Sequence, residues 1–230
     1  MGLPPGHAAF AETVLPVCEP YGLVFAGSHA VHAHGLRGAP SRHLDLVTFS
    51  STSVGRIAAA LEAACTAAGY EVADLPRTPL SAQFTAALPG ALAYTVHVAK
   101  EPLSHPPVLL GLGLSRPVPV VALEDCAALK VAALVDRALP GDLVDVRAMS
   151  AWFAPGELLS MAVRRDEDFE PAALADRLDK LVGADDRLFA ARGLEPGEVA
   201  ELKRWAFAWA QDIRLDLMEG MEHPDDLYDM

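Results

Sequence analysis

The chain has 230 residues, of which 52% are hydrophobic, and its formal net charge at pH 7 is −13. This apolar content excludes a wholly disordered chain, and the acidic charge argues against non-specific binding to nucleic acid. Residues 1–116 hold 6 basic and 7 acidic side chains, a net charge of −1, whereas residues 117–230 hold 12 and 24, a net charge of −12. The uncharged apolar stretches, such as residues 108–114, are too short for a membrane span, and the start of the chain lacks the basic region of a secretory signal. We therefore expect a cytoplasmic protein that does not bind membranes.

The first half of the chain shows strand and turn patterns. We predict strands at residues 23–26, 43–49, 70–73, 82–88, 91–98 and 117–122, and helices at residues 8–18, 29–34 and 54–68. Ser28 is a favourable N-cap for the short second helix, and Gly35 is expected to end it. Pro89 and Gly90 indicate a hairpin turn between two of the strands.

The second half is helical. We predict helices at residues 124–137, 141–152, 155–163, 171–181 and 196–221, several of which have proline in or near the first turn. Trp205, Trp209 and Ile213 recur at i, i+4 and i+8, which indicates a face that packs into a core. The sequence therefore predicts an α+β protein with a sheet domain at residues 1–122, a helical domain at residues 123–222 and an acidic tail at residues 223–230.

The cysteines give no sign of a cofactor or of a disulfide framework. Cys18, Cys65 and Cys126 lack the spacing of metal ligands, and an odd, sparse count argues against disulfides. We expect Cys65 and Cys126, which lie among alanines on predicted helices, to be buried free thiols.

Residues 23–49 contain the sequence pattern that most strongly indicates a functional site. A strand that ends in Gly27-Ser28 at a helix start presents backbone N–H groups and a hydroxyl, which suits a phosphate. The next strand carries Asp45 as an inward-facing carboxylate of the kind that holds Mg²⁺ beside a triphosphate. The alternative for the same residues is a tight turn with a capping serine, since short glycine motifs are weak evidence.

This segment resembles the nucleotidyltransferase-fold toxins of abortive-infection toxin–antitoxin systems, of the AbiEii/AbiGii type. The resemblance rests on Gly27-Ser28, then His34-Gly35, then the run from Pro40 to Asp45. It continues in the strand that carries His97, in the block with Lys130, Asp142 and Asp145, and in the later segment with Leu158, Leu159 and Asp168-Phe169, so that it spans roughly residues 20–215.

The resemblance implies a nucleotidyltransferase-like mixed sheet with flanking helices, followed by a C-terminal helical bundle. It implies that a nucleoside triphosphate binds at Gly27, Ser28 and Lys130, with Asp45, Asp142 and Asp145 as further catalytic residues. Two Mg²⁺ ions would assist transfer of a nucleotide to an acceptor, which in some family members is the 3′ end of tRNA. An AbiEi-like antitoxin is the expected partner of such a toxin.

Two of the three metal carboxylates that the resemblance implies are replaced, because His43 and His97 stand where the family has Asp. Imidazole is a poor ligand for Mg²⁺, so we expect weak or absent transfer with Mg²⁺ alone. His43, Asp45 and His97 together would suit Zn²⁺, Mn²⁺ or Fe²⁺ better. The alternative is that both histidines hydrogen-bond to Asp45 or to nearby backbone and bind no metal.

The other polar residues have competing interpretations. Asp142 and Asp145 can serve catalysis or simply favour a helix N-terminus, and Lys130 can face the cleft or pair with a carboxylate such as Asp145. His29 and His32 are neighbours on one helix that we expect to be solvated or packed, whereas His7, His105 and His223 show no pattern. The function is thus either nucleotide transfer or nucleotide or protein binding by the same fold without chemistry, and an unrelated α/β protein with accidental likeness is a third alternative.

Overall fold

A computed structural model describes residues 2–36 and 40–222. The chain divides into two units, Met1–Cys126 and Ala127–Met230. The predicted acidic tail at residues 223–230 lies outside the described residues. The predicted α+β class, with a mixed sheet and flanking helices before a helical C-terminal part, is confirmed.

The first unit is built on a seven-stranded mixed sheet in the order β3-β4-β5-β2-β1-β7-β6. Its strands are β1 (Val24–Phe25), β2 (His43–Thr48), β3 (Glu71–Arg77), β4 (Ser81–Ala87), β5 (Tyr94–Lys100), β6 (Val108–Leu110) and β7 (Val118–Val120). Its helices are α1 (Pro5–Cys18), α2 (Gly27–Ala33) and α3 (Val54–Ala67). Strand β6 was not predicted, whereas the other six strands lie where the sequence placed them to within a few residues.

Strand β2 occupies the middle of this sheet, and its register with β5 and β1 determines which side chains lie next to Asp45. It runs parallel to β5, with Asp45 directly opposite His97, and antiparallel to β1. Along β2 the side chains alternate, so Leu44 and Leu46 are fully buried while His43 is exposed and Asp45 is half-buried. Because side chains two residues apart point to the same face of a strand, His43 and Asp45 share the polar face.

Strand β3 forms one edge of the sheet. It pairs only with β4 in the sheet order, and the register between the two shifts between Asp74 and Arg77, next to Pro76. The guanidinium of Arg77 forms ion pairs with Glu62 and with Asp74. Charge and proline thus occupy the end of an edge that could otherwise add another strand.

The second unit is helical. Helix α4 (Leu123–Arg137) starts in the first unit, and it is followed by α5 (Pro140–Met149), α6 (Pro155–Arg165), α7 (Pro171–Val182), α8 (Asp186–Ala190) and α9 (Pro196–Glu222). Helices α5, α6 and α7 have proline at the first turn, where its missing N–H costs nothing. The short helix α8 was not predicted.

Helix α9 places its apolar stripe inward, as predicted. Trp209 and Ile213 are buried, and Trp205 lies half-buried beside Trp209 with the guanidinium of Arg147 over its ring. Helix α7 packs against α9, and Arg214 of α9 forms ion pairs with two carboxylates of α7. None of the helices in the described residues is long and apolar enough to cross a membrane.

Candidate functional site

The turn from β1 into α2 brings Gly27 against Asp45. Gly27 has φ +56°, a conformation that favours glycine, and a Cβ at this position would lie 2.0 Å from Oδ2 of Asp45. The N–H of Ala26 donates to the Asp45 carbonyl oxygen at 2.9 Å, which holds the two strands in register at this point. The predicted proximity of Gly27 and Asp45 is therefore confirmed, and only glycine fits at residue 27.

Ser28 does not cap α2, in contrast to the capping alternative, and its contact with a phosphate stays a prediction. The N-cap of α2 is Ala26, so Ser28 lies inside the first turn and is not the capping residue. Its buried hydroxyl oxygen accepts the N–H of Ser41 at 3.0 Å and lies 2.9 Å from the Ser41 hydroxyl. The positive φ of Gly27 starts the helix two residues earlier than predicted, and this turns Ser28 toward the segment that leads into β2.

Asp45 and His97 form a close pair on neighbouring strands. Nδ1 of His97 lies 3.5 Å from Oδ1 of Asp45, and both side chains are partly exposed on the polar face of the sheet. His43 lies two residues before Asp45, opposite Thr95. The structure thus places His97 beside Asp45, as both the metal-binding and the hydrogen-bonding alternatives require.

The donor atoms at this site do not fit Mg²⁺. In residues 2–36 and 40–222 no group of three or more His, Cys, Asp or Glu side chains is placed so that it could hold a metal ion. Asp45 is the only carboxylate on β2 and β5, and imidazoles replace the oxygen ligands that Mg²⁺ requires. Metal binding by His43, Asp45 and His97 therefore stays a prediction.

Two further histidines, His29 and His7, lie close to this site, although no sequence pattern indicated it. His29 of α2 is 2% exposed, and burial lowers its pKa to about 4, although the Asp45 carboxylate and a hydrogen bond with the His43 backbone oppose this shift. His7 of α1 lies 6.0 Å from His29 between ring centroids, and burial also lowers its pKa. His7 is far from the motif in the sequence, so no local pattern could have indicated its place.

The second unit contains the other predicted residues as a buried ion-pair cluster. Nζ of Lys130 lies 2.8 Å from Oδ2 of Asp145 and 3.3 Å from Oδ1 of Asp142. The Arg137 guanidinium donates to both oxygens of Asp142, at 2.8 and 3.2 Å. Lys130, Asp142 and Asp145 are all buried. The structure thus shows the pairing of Lys130 with a carboxylate, and contact of Lys130 with a phosphate stays a prediction.

His34 links the end of α2 to another strand of the first unit. It is the C-cap residue of α2, and its Nε2 lies 2.9 Å from the carbonyl oxygen of Val121 just after β7. Gly35 follows with φ +77° and ends the helix as predicted. The His-Gly pair of the motif therefore anchors the far end of the helix that begins at Gly27.

Comparison with known proteins gives structural neighbours only. No family model matches the chain, and no curated protein matches it. MenT4, a nucleotidyltransferase toxin from Mycobacterium tuberculosis, superposes with a TM-score of 0.59 at 16% identity, over 89% of this chain and 82% of its own. A candidate nucleotidyltransferase from H. pylori superposes with a TM-score of 0.57 at 15% sequence identity, over 93% of this chain and 96% of its own. JHP933 from Helicobacter pylori superposes with a TM-score of 0.54 at 14% sequence identity, over 98% of this chain and 99% of its own. These similarities establish that the chain has a nucleotidyltransferase fold.

Proposed function

We propose that the protein binds a nucleoside triphosphate beside Gly27 and Asp45 and transfers its nucleotidyl group to an acceptor. The observation that carries this proposal is the placement of Asp45, which lies against the backbone at Gly27 and beside His97 on the polar face of the sheet. Glycine at residue 27 lets the Asp45 carboxylate lie directly against the backbone at the start of α2. The nucleotidyltransferase fold supports the same reaction class.

The proposed transfer is an in-line displacement at the α-phosphorus. The acceptor hydroxyl oxygen forms the new bond to phosphorus, the bond between this phosphorus and the bridging oxygen breaks, and pyrophosphate leaves. The hydroxyl proton passes to solvent. Asp45 would orient the acceptor by accepting a hydrogen bond from its hydroxyl group, and His97 would hold the Asp45 carboxylate in place.

We further propose that the chain acts as a toxin of the AbiEii/AbiGii type that an AbiEi-like antitoxin neutralises. The fold similarity to MenT4 and the motif residues Gly27, Ser28 and Asp45 support this proposal. The 3′ end of tRNA is the acceptor that we propose to test first. Growth arrest on expression in a bacterial host, relieved by such an antitoxin and absent for Asp45→Asn, is the expected result.

A second candidate function is nucleotide binding without transfer. It is favoured by the two histidines at positions where the resembling family has carboxylates, since β2 and β5 retain Asp45 alone. A protein of this kind would bind nucleotide or a partner through the same face. Measured nucleotide affinity without any transfer product, under both Mg²⁺ and Mn²⁺, would favour this function over the first.

The deciding experiment is incubation of the purified protein with α-labelled nucleoside triphosphates and total RNA. We expect label in RNA with Mn²⁺ and little or none with Mg²⁺. Asp45→Asn keeps the shape of the side chain but removes its charge, and we expect it to lower transfer roughly 100-fold or more. Asp74→Asn, on the exposed edge strand, is the matched control and should leave transfer unchanged. Equal transfer by the protein and by Asp45→Asn would contradict the assignment of this site.

A further inference from the structure

Helix α9 is apolar on two opposite faces. One face carries Trp209 and Ile213, which are buried in the second unit. The other face carries Phe207, Leu215 and Met218, which are 52, 57 and 60% exposed. A helix that only covers a core has polar side chains on its outer face, so an apolar outer face indicates a surface that another molecule covers.

The exposed apolar side chains lie along a single line on α9. Residues 207, 211, 215 and 218 follow one another at intervals of four, four and three, which places them on the same side of an α-helix. Gln211 lies half-buried between Phe207 and Leu215. The line is about 16 Å long at the rise of an α-helix. We call Phe207, Gln211, Leu215 and Met218 the outer stripe.

One side of the outer stripe is acidic. The helical repeat places four exposed carboxylates along it, at Glu201, Asp212, Asp216 and Glu219. Among residues 2–36 and 40–222, no basic side chain forms an ion pair with any of the four. These charges are therefore available to a cationic partner.

The basic side chains of α9 do not neutralise this side. Nζ of Lys203 lies 2.6 Å from Oδ1 of Asp186, and Arg214 forms ion pairs with two carboxylates of α7. In the described part of α9, Arg204 is the only basic side chain that is fully exposed. Residues 117–230 carry 24 acidic and 12 basic side chains. The surface around the outer stripe is thus negative.

We propose that the outer stripe docks a basic amphipathic helix of a partner protein. Apolar side chains of that helix would pack against Phe207, Leu215 and Met218, while lysine or arginine along one of its sides would face the carboxylates. A helix fits better than an extended peptide, because the backbone of α9 uses its hydrogen-bonding groups internally and offers none to a strand. The proposal does not depend on nucleotide transfer, so its failure would leave the proposed function untouched.

Charge argues against the other occupants of this surface. A second copy of the chain would bring two negative surfaces together. Residues 223–230 contain three aspartates and no lysine or arginine, so this segment matches the acidic side poorly. Nucleic acid and anionic membranes also carry the wrong sign of charge.

The test measures binding of a labelled synthetic peptide to the unmodified protein by fluorescence anisotropy. The peptide contains only leucine and lysine, has about 18 residues, and places leucine along one side of a helix. One control peptide has the same composition in scrambled order, and the other has glutamate in place of lysine. We expect a Kd on the order of 10 μM for the first peptide and binding at least about tenfold weaker for both controls. Equal binding of a control peptide, or no binding of the first, would overturn the proposal.

Apolar variants locate the binding on the outer stripe. Phe207→Gln and Leu215→Gln retain helix propensity, and each should weaken binding of the leucine–lysine peptide by about tenfold. Leu109→Gln is the matched control, because Leu109 of β6 is exposed but lies outside α9. Phe207→Gln should unfold at the same temperature as the unmodified protein. An equal loss of binding in Leu109→Gln, or a marked loss of stability in Phe207→Gln, would overturn the proposal.

Charge variants test the acidic side. Asp212→Asn combined with Asp216→Asn should weaken peptide binding about threefold or more at low salt, and less at high salt. Glu71→Gln combined with Glu167→Gln changes the net charge equally at exposed residues outside α9 and should leave binding unchanged. The same loss in both double variants would show that the peptide responds only to net charge, and would overturn the proposal.

Two further measurements distinguish the other occupants. Sedimentation equilibrium should show a monomer, and a dimer that Phe207→Gln abolishes would identify a second copy on the outer stripe. Deletion of residues 223–230 should leave peptide affinity unchanged, and a tenfold or greater gain in affinity, on the order of a whole hot-spot contact, would identify this segment as the occupant. Either result would overturn the proposal of a partner protein.

Discussion

Gly27 and Asp45 leave no room for a side chain between them, since a Cβ on Gly27 would lie 2.0 Å from Oδ2 and 2.9 Å from Cβ of Asp45. This contact joins the turn that begins α2 to the middle strand of the sheet. It therefore ties the geometry of the proposed site to the stability of the first unit.

Gly27→Ala should destabilise the protein more than the same change at Gly22. Both glycines have φ +56°, but a Cβ at Gly22 meets nothing within 4 Å. Both alanines should therefore cost about 1 kcal/mol of backbone strain, and Gly27→Ala should cost about 1–3 kcal/mol more through overpacking. Urea unfolding measures both. Asp45→Ala in the Gly27→Ala background should recover part of the loss, and equal losses at the two glycines would contradict the contact.

Ser28 and Ser41 should show energetic coupling. Removal of either hydroxyl breaks the same partly buried link, so Ser28→Ala, Ser41→Ala and the double variant should be non-additive by about 1 kcal/mol in the free energy of unfolding. Thr78 and Ser81 have hydroxyls at the same distance of 2.9 Å but on the exposed surface. A cycle on that pair should give a coupling near zero, and equal coupling in the two cycles would exclude a special role for burial.

Lys130→Met should destabilise the second unit strongly. It leaves the buried carboxylates of Asp142 and Asp145 without the ammonium between them, and loss of one partner of a buried pair costs about 3–5 kcal/mol. The exposed pair of Arg116 and Glu19 provides the comparison, since Glu19→Gln should cost less than about 1 kcal/mol. Thermal unfolding tests both. A loss below about 1 kcal/mol for Lys130→Met would show that the cluster does not stabilise the unit.

Stability should fall as the pH drops from about 6.5 to about 4, partly because of His29. The pKa of His29 is lowered from 6.5 to about 4 in the folded protein, so the unfolded chain binds more protons in this window. The contribution of His29 is fully present above pH 6.5 and is lost as the pH falls, by roughly 3 kcal/mol at pH 4. The His29→Gln variant should show a flatter pH profile of the free energy of unfolding. Parallel profiles for the two proteins would refute the neutral, buried state of this ring.

The thiols should be unreactive in the folded protein. Cys18, Cys65 and Cys126 are buried thiols that form no disulfide in the described residues, and burial raises the pKa of Cys18 to about 12 and of Cys65 to about 11. Thiolate is the reactive form, so a disulfide reagent at pH 8 should modify none of the three before unfolding and all three after it. Fast modification of Cys18 or Cys65 in the native protein would contradict these pKa values.

The elements that the sequence predicted well have local causes. Proline at the first turn predicted the starts of α5 and α7 to within one residue. Glycine at a positive φ predicted the end of α2, and the alternation of side chains predicted β2. Each of these signals acts within a few residues of the chain. Strand β6 was missed because its three residues lie in an apolar run with glycines and no alternation. Such a short strand depends on pairing with β7, which local sequence does not encode.

The site was predictable only in part for the same reason. The proximity of Gly27 to Asp45 and of Asp45 to His97 followed from the motif and the resemblance. The Ser28–Ser41 link and the place of His7 depend on contacts between residues far apart in the chain, with polar side chains that are partly or fully buried in the fold. Ser28 directly precedes the predicted helix and could therefore cap it. The positive φ of Gly27 starts the helix earlier, so Ser28 lies inside the first turn and is not the N-cap.

The edge at β3 has a consequence for the behaviour of the protein in concentrated solution. A second chain aligned along this strand would meet the missing donor of Pro76, an interrupted register and the charges of Asp74 and Arg77. Intermolecular sheet extension, the first step toward aggregated β-structure, is therefore disfavoured at this end of the edge. Substitution of Pro76 and Arg77 by valine would turn the edge into a template for such growth without altering the site at Asp45.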